Sequence, residues 1–290
     1  GAAADPHLRY EAASILAPVV DESTLMSLVG DADPGLQLAG LIAIDLAIYE
    51  KHPPADIALA ALASLLAQPG KADPKLVMDL VQMHNAPQLT EALRGLVRRT
   101  DLPAVVTGNA LLLLRAKTGG KNDPLDGQAI KRFLKAVEAG EISLRNSTDT
   151  ITLLELLAAD GPSEFASATI VRSLGDRDGR VRETAHRVAR LHGPKSAKVT
   201  DAIWDRLLNK RDFAQALDER LVLLTTLLAV EADPKPENWS RLLADGHPLL
   251  VTDAIRSWRQ FAGHAAMTRL LAENAAAILK RQPELGDDLA

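Results

Sequence analysis

The chain has 290 residues, a formal net charge of −5 and no cysteine. The missing cysteine excludes disulfides, thiolate metal sites and a cysteine nucleophile within it, and the mildly acidic balance argues against duplex nucleic acid as the main partner. Apolar residues make up 47% but aromatics only 3%, a mixture of Leu, Ala, Val and Ile that suits close-packed helices better than a large sheet.

The chain opens on Gly1-Ala2-Ala3-Ala4 with no Met, which reads as a processed end, so the chain is expected to be a piece of something longer. Asp5 as N-cap and Pro6 at the first helical position predict a helix to Ala17, with Leu8, Ala12, Ile15 and Leu16 on its apolar face and Pro18 ending it. A short helix near Glu22–Val29 is closed by Gly30. Asp33-Pro34 restarts the pattern. Leu36, Leu38, Leu41, Ile42, Ile44, Leu46 and Ile48 then make a helix apolar nearly all round, expected to lie between neighbours. Pro53-Pro54 breaks it. A further helix runs from Asp56 to Ala67, before the turn signal Pro69-Gly70.

Asp73–His84 and Pro87–Arg99 form the next pair, and Pro103–Lys117 carries Leu111, Leu112, Leu113 and Leu114 as core. Residues 118–126 are the most loop-like stretch, the place for an insertion or subdivision in an otherwise single array over 1–290. Asp126–Ala139 is helical and Gly140 ends it; residues 141–149 read as polar and irregular. Thr150–Ala159 and Pro162–Leu174 pair next, followed by Asp178–Leu191 with Lys195–Leu208, the most regular pair. Asp212–Val230, Pro236–Ala244, Pro248–Phe261 and a last helix to Lys280 complete about sixteen helices, or eight pairs, with short connections and no alternating strand pattern. No run of about 20 apolar residues occurs, so no segment reads as spanning a bilayer.

One phrase recurs. Asp178-Gly179-Arg180-Val181-Arg182-Glu183-Thr184-Ala185 is its clearest copy, and Asp5-Pro6-His7-Leu8-Arg9-Tyr10-Glu11-Ala12 matches it closely. Asp33-Pro34, Asp73-Pro74 and His247-Pro248 open weaker copies, in which Gln37 and Val77 stand where the arginine would be. A recurring helix start is the mark of stacked helix pairs. The spacings, 28 residues from Asp5 to Asp33 and 40 from Asp33 to Asp73, are too uneven for tetratricopeptide or ankyrin arrays.

The Asp-x-x-Val-Arg-x-x-Ala phrase followed by an apolar helix resembles the HEAT repeat, strongly over 176–208 and at 5–16. That resemblance implies an all-α fold, a right-handed α-α superhelix (an α-solenoid) of about eight irregular HEAT-like pairs, with Asp and Arg of adjacent repeats pairing along the stack. The Ala/Leu-rich array is also similar to the HEAT-repeat segment of planctomycete-type dehydrogenase and haem-binding multidomain proteins. This second resemblance implies an extracytoplasmic setting and a dehydrogenase-like domain outside this chain; a free-standing solenoid would suit the cytoplasm. No Cys-x-x-Cys-His haem motif occurs here.

Chemistry-bearing patterns are thin. Gly119-Gly120-Lys121-Asn122 lacks the spacing, the Ser/Thr and the preceding strand of a phosphate loop. Asp176-Arg177-Asp178-Gly179 looks like part of a calcium loop but lacks its closing Glu, and reads as a helix cap. The histidines show no His-x-x-x-His or paired His-Glu spacing, so neither a zinc hydrolase nor a HEAT-type di-iron hydroxylase is indicated. Ser163 and Ser167 have no nucleophile elbow. No catalytic, cofactor-binding or metal residue is therefore expected. Arg172, Arg177, Arg180, Arg182, Arg187, Arg190, Lys195 and Lys198 form the densest basic region, partly neutralised by Asp176, Asp178 and Glu183. Trp204 reads as core, whereas Trp258 sits between cations in Arg256-Ser257-Trp258-Arg259. Arg182, Arg190 and Trp258 are the expected interaction residues. The expected role is a non-catalytic scaffold that binds a protein partner or neighbouring domains of the same polypeptide; the alternative is a HEAT-like nucleic-acid-binding protein or DNA glycosylase-type enzyme.

Overall fold

The structure, a computed structural model, describes residues 6–18, 21–49, 55–119, 127–192, 196–208, 217–245, 247–261 and 263–289. Regular structure among them is helical throughout, so the chain is all-α. The residues form two compact units, Gly1–Arg145 and Asn146–Ala290. Of the stretch 118–126, expected as an insertion or subdivision, residues 120–126 lie outside the described part. Asp5, Pro53, Pro54, Lys195 and the start expected at Asp212 also lie outside it.

The first unit contains α1 (Pro6–Leu16), α2 (Glu22–Val29), α3 (Pro34–Tyr49), α4 (Ala55–Ala67), α5 (Pro74–Met83), α6 (Pro87–Arg98), α7 (Ala104–Thr118) and α8 (Gly127–Glu138). Caps set the helix starts as their sequence demands. Asp21 accepts from Thr24 N at 2.8 Å, and Asp73 accepts from Lys75 N at 2.8 Å, with Pro74 in the first turn. Gly119 follows α7 in the left-handed region, φ 64°, where a side chain would be strained. Most of these helices pack on a neighbour in sequence, and packing on the helix two further along recurs: α1 on α3, α2 on α4, α3 on α5, α4 on α6 and α5 on α7. α3 is buried on most sides between α1, α2, α4 and α5, as its all-round apolar sequence predicts. All four leucines 111–114 are buried. At Gly108 an added Cβ would come within 2.2 Å of Ile142 Cδ1 and 3.2 Å of Phe133, so the glycine lets α7 and α8 close on each other.

The first helix departs from expectation. Ala13 and Ala17 are its buried residues, while Ala12 and Ile15 are exposed and Leu16 is half-buried. The physical reason is its position. α1 meets α3 through the small alanine face, and no described helix lies on its other side.

The second unit contains α9 (Ser147–Asp160), α10 (Glu164–Ser173), α11 (Gly179–His192), α12 (Ala197–Leu208), α13 (Leu217–Val230), α14 (Pro236–Leu243), α15 (Pro248–Arg256) and α16 (Ala265–Arg281). α9 starts earlier than its apolar pattern suggests, because Asn146 accepts from Asp149 N at 3.0 Å and caps it. The segment expected as one helix over 248–261 instead tightens into a 3₁₀ turn at Ser257–Phe261, with Ser257 O–H donating to Asp253 O at 2.7 Å. The i to i+2 packing repeats: α9 on α11, α10 on α12, α11 on α13, α12 on α14, α13 on α15 and α14 on α16.

Candidate interaction surface

On α11 the core positions are Val181, Ala185, Val188 and Ala189. That spacing leaves Arg182, His186 and Arg190, each four residues apart, as a polar stripe facing α13. Arg182 forms an ion pair with Glu219 of α13 and donates to Asp176 O at 2.9 Å and Arg177 O at 3.1 Å. His186 is buried and its Nδ1 lies 3.0 Å from Thr226 Oγ1. Thr226 already donates to Val222 O at 2.8 Å, so the imidazole is the donor and its Nδ1 carries hydrogen. Burial, followed by the charges of Arg190, Arg182 and Arg206, lowers the His186 pKa to about 4. Arg190 is exposed and reaches Thr226 Oγ1 at only 3.5 Å. Of this stripe, Arg182 and His186 are joints between α11 and α13; Arg190 faces solvent.

Trp258 is not on the surface. It is 6% exposed and packs edge-on against Trp239 and Phe261, with centroids 5.3 and 6.0 Å away. Its cationic neighbours in sequence misled, because the 3₁₀ turn rotates the indole into the core. Trp204 is buried as expected and meets Trp239 at 5.3 Å. Glu231 accepts from the indole N–H of Trp204 at 2.7 Å and of Trp239 at 2.9 Å. Burial raises the Glu231 pKa, and the indole donors oppose that rise.

The basic region is largely neutralised within its own unit. Arg180 pairs with Asp178, Arg187 with Glu155 and Lys198 with Glu164. Asp178 also accepts from Arg180 N at 2.9 Å, so it does cap α11; its pKa is held well below the ordinary value by the Arg180 side chain, Arg180 N and Ser147. Arg172, Arg177 and Arg190 are exposed and form no ion pair among the described residues. Ser163 caps α10 through Ala166 N at 3.0 Å. His192 donates to Leu157 O at 3.2 Å, apart from the His186 contacts.

In the first unit His84, at the end of α5, lies 2.7 Å from Asp45 of α3, and Lys117 of α7 donates to His84 O at 2.6 Å. Burial lowers the Lys117 pKa. No group of three or more His, Asp or Glu able to hold a metal ion occurs among the described residues. An apolar pocket between Leu65, Val77, Leu96 and Val106 has a volume of about 10 Å³, room for one water and not for a cofactor. Among the described residues no helix is long and apolar enough to cross a membrane.

No known protein family matches this sequence, and no curated protein does. The functional reading therefore rests on the side chains themselves.

What the sequence did not reveal is a set of rungs between helices two apart. Arg99 donates to Ala67 O at the end of α4; Arg132 donates to Arg99 O and Val97 O at the end of α6; Lys117 does the same at the end of α5. In the second unit Arg281 donates to Leu243 O and Asp245 O beyond α14. These are cations placed on helix C-terminal carbonyls, which need partners and carry the negative end of the helix dipole. Lys198–Glu164 and Lys235–Asp201 span 34 residues each, and the whole set of rungs runs from 32 to 40 residues. Arg99 and Arg132, 33 residues apart, were the available signal.

Proposed function

We propose that the chain is a HEAT-like α-solenoid and that it works as a non-catalytic scaffold, holding a protein partner or the neighbouring domains of a larger polypeptide. The observation that supports this most is the common register of the rungs. Side chains with catalytic potential are committed to joints between helices: His84 to Asp45, His186 to Thr226, His192 to a carbonyl, Glu231 to two indoles. Within each unit, stacked helices that contact only their neighbours leave side chains free for many weak contacts with a partner. Within this reading Arg190 is the exposed member of the expected interaction residues, and Arg182 holds the array together.

The nucleic-acid reading is separable by experiment. Electrophoretic mobility shift with duplex DNA at low salt is expected to show no complex. A complex that dissolves as salt rises would overturn the scaffold reading in favour of a nucleic-acid-binding protein.

A further inference from the structure

The partners of the α11 stripe change along its length. At one end a cation meets an anion, Arg182 with Glu219 of α13. At the other end Arg190 meets only a hydroxyl. Its Nη1 reaches Thr226 Oγ1 at 3.5 Å, the same oxygen that His186 Nδ1 approaches at 3.0 Å, so guanidinium and imidazole are held beside each other against α13. Thr226 is fully buried and Arg190 is exposed, so the pair runs from the seam between the helices out to solvent. The carboxylates whose contacts reach this layer have other partners: Glu219 takes Arg182, Glu155 of α9 takes Arg187, and Glu231 takes two indoles. Glu183 and Asp218 are exposed, and neither forms an ion pair with Arg190. The charge that does reach the imidazole is cationic. After burial, the groups that lower the His186 pKa are Arg190, Arg182 and Arg206. Two of these are fixed on one turn: the Arg206 guanidinium covers Gly175, and Arg182 donates to Asp176 O at 2.9 Å.

We propose that Arg190 and His186, at the seam of α11 and α13, form a binding site for a phosphoryl group, free or carried on a partner. A guanidinium presents five N–H donors, and Thr226 engages one of those of Arg190, at the limit of hydrogen-bond distance. The planar fork matches phosphate oxygens two at a time. His186 Nε2 has no hydrogen-bond partner among the described residues and adds a second polar atom beside the fork. Three guanidinium charges act on the imidazole. A phosphoryl group, with about two negative charges, offsets more of that field than a carboxylate with one.

Equilibrium dialysis of the 290-residue chain against radiolabelled inorganic phosphate, at constant ionic strength, tests it. Saturable binding is expected. Arg190→Gln is expected to weaken it about tenfold or more. Arg172→Gln, which removes an exposed arginine of α10, is expected to leave it unchanged. Both positions are exposed, and helical circular dichroism shows that the variants are folded. The His186 ring resonance in proton NMR, assigned by its loss in His186→Asn, should shift in step with phosphate occupancy. Phosphoserine binding more tightly than inorganic phosphate assigns a group carried on a partner; the reverse order assigns the free ion. No saturable binding, equal binding by Arg190→Gln, or a His186 resonance that stays in place would overturn the proposal. None of these outcomes alters the scaffold reading, which the DNA and scattering experiments judge separately.

Discussion

The two units use one stacking register and different chemistry to hold it. The first has a core of Leu, Ala, Val and Ile, with Phe133 its large buried aromatic and cation-to-carbonyl rungs at Arg99, Arg132 and Lys117. The second gathers Trp204, Trp239, Trp258 and Phe261 into one edge-to-face cluster and ties its helices chiefly by side-chain pairs, the most buried being Arg220–Asp245 at 2.7 Å. The period of a helix stack is therefore set by its geometry. Which polar groups occupy the rungs is left free.

The aromatic core gives the strongest way to break the comparison. Trp239→Ala is expected to cost about 3–5 kcal/mol, and Leu154→Ala or Leu207→Ala about 2–5 kcal/mol, since all three are fully buried. Circular dichroism melts of Trp239→Ala should show the second unit unfolding first, with the helix signal of the first unit persisting; one unchanged transition would remove the distinction between units.

His186 is the next largest effect. Its folded pKa of about 4 lies below the ordinary histidine value, so its contribution is present above about pH 6.5 and is lost as pH falls through 4. The expected loss is about 3 kcal/mol across that window. Urea melts from pH 7 to pH 4 should be markedly flatter for His186→Asn than for the parent, and parallel curves would contradict the burial argument. Glu231 acts with the opposite sign. Its raised folded pKa makes its contribution fullest below the unfolded carboxylate range and lost as pH rises through the folded value.

Smaller effects sharpen the contrast between rungs. Arg132→Met is expected to cost about 1–2 kcal/mol in thermal or urea melts, because it strips charged donors from the Arg99 and Val97 carbonyls. Lys198→Ala removes an exposed pair and should cost under about 1 kcal/mol, falling toward nothing at high salt. If the exposed pair proved the costlier of the two, cation-to-carbonyl contacts would not be the stronger rungs.

Much of the fold was legible because helix punctuation is local. Asp73 and Asp178 cap the helices they were expected to start, and Gly140, expected to end α8, follows it in the left-handed region, φ 75°. The face of α1 was not legible, because Ala13 and Ala17 outrank Ile15 only once α3 is in place. Trp258 failed for a related reason: cations beside it in sequence say nothing of the turn that buries its ring. The rungs were hidden because each is one residue deep, and its partner is as often a backbone carbonyl, which no sequence pattern marks, as a side chain.

The central proposal is the α-solenoid, an elongated architecture in general, and small-angle X-ray scattering of the chain tests it directly. A compact globule of 290 residues has a radius of gyration of about 19 Å. The expected value lies clearly above this, with a skewed, elongated distance distribution; a value at or near the globular one, with a symmetric distribution, would contradict the solenoid.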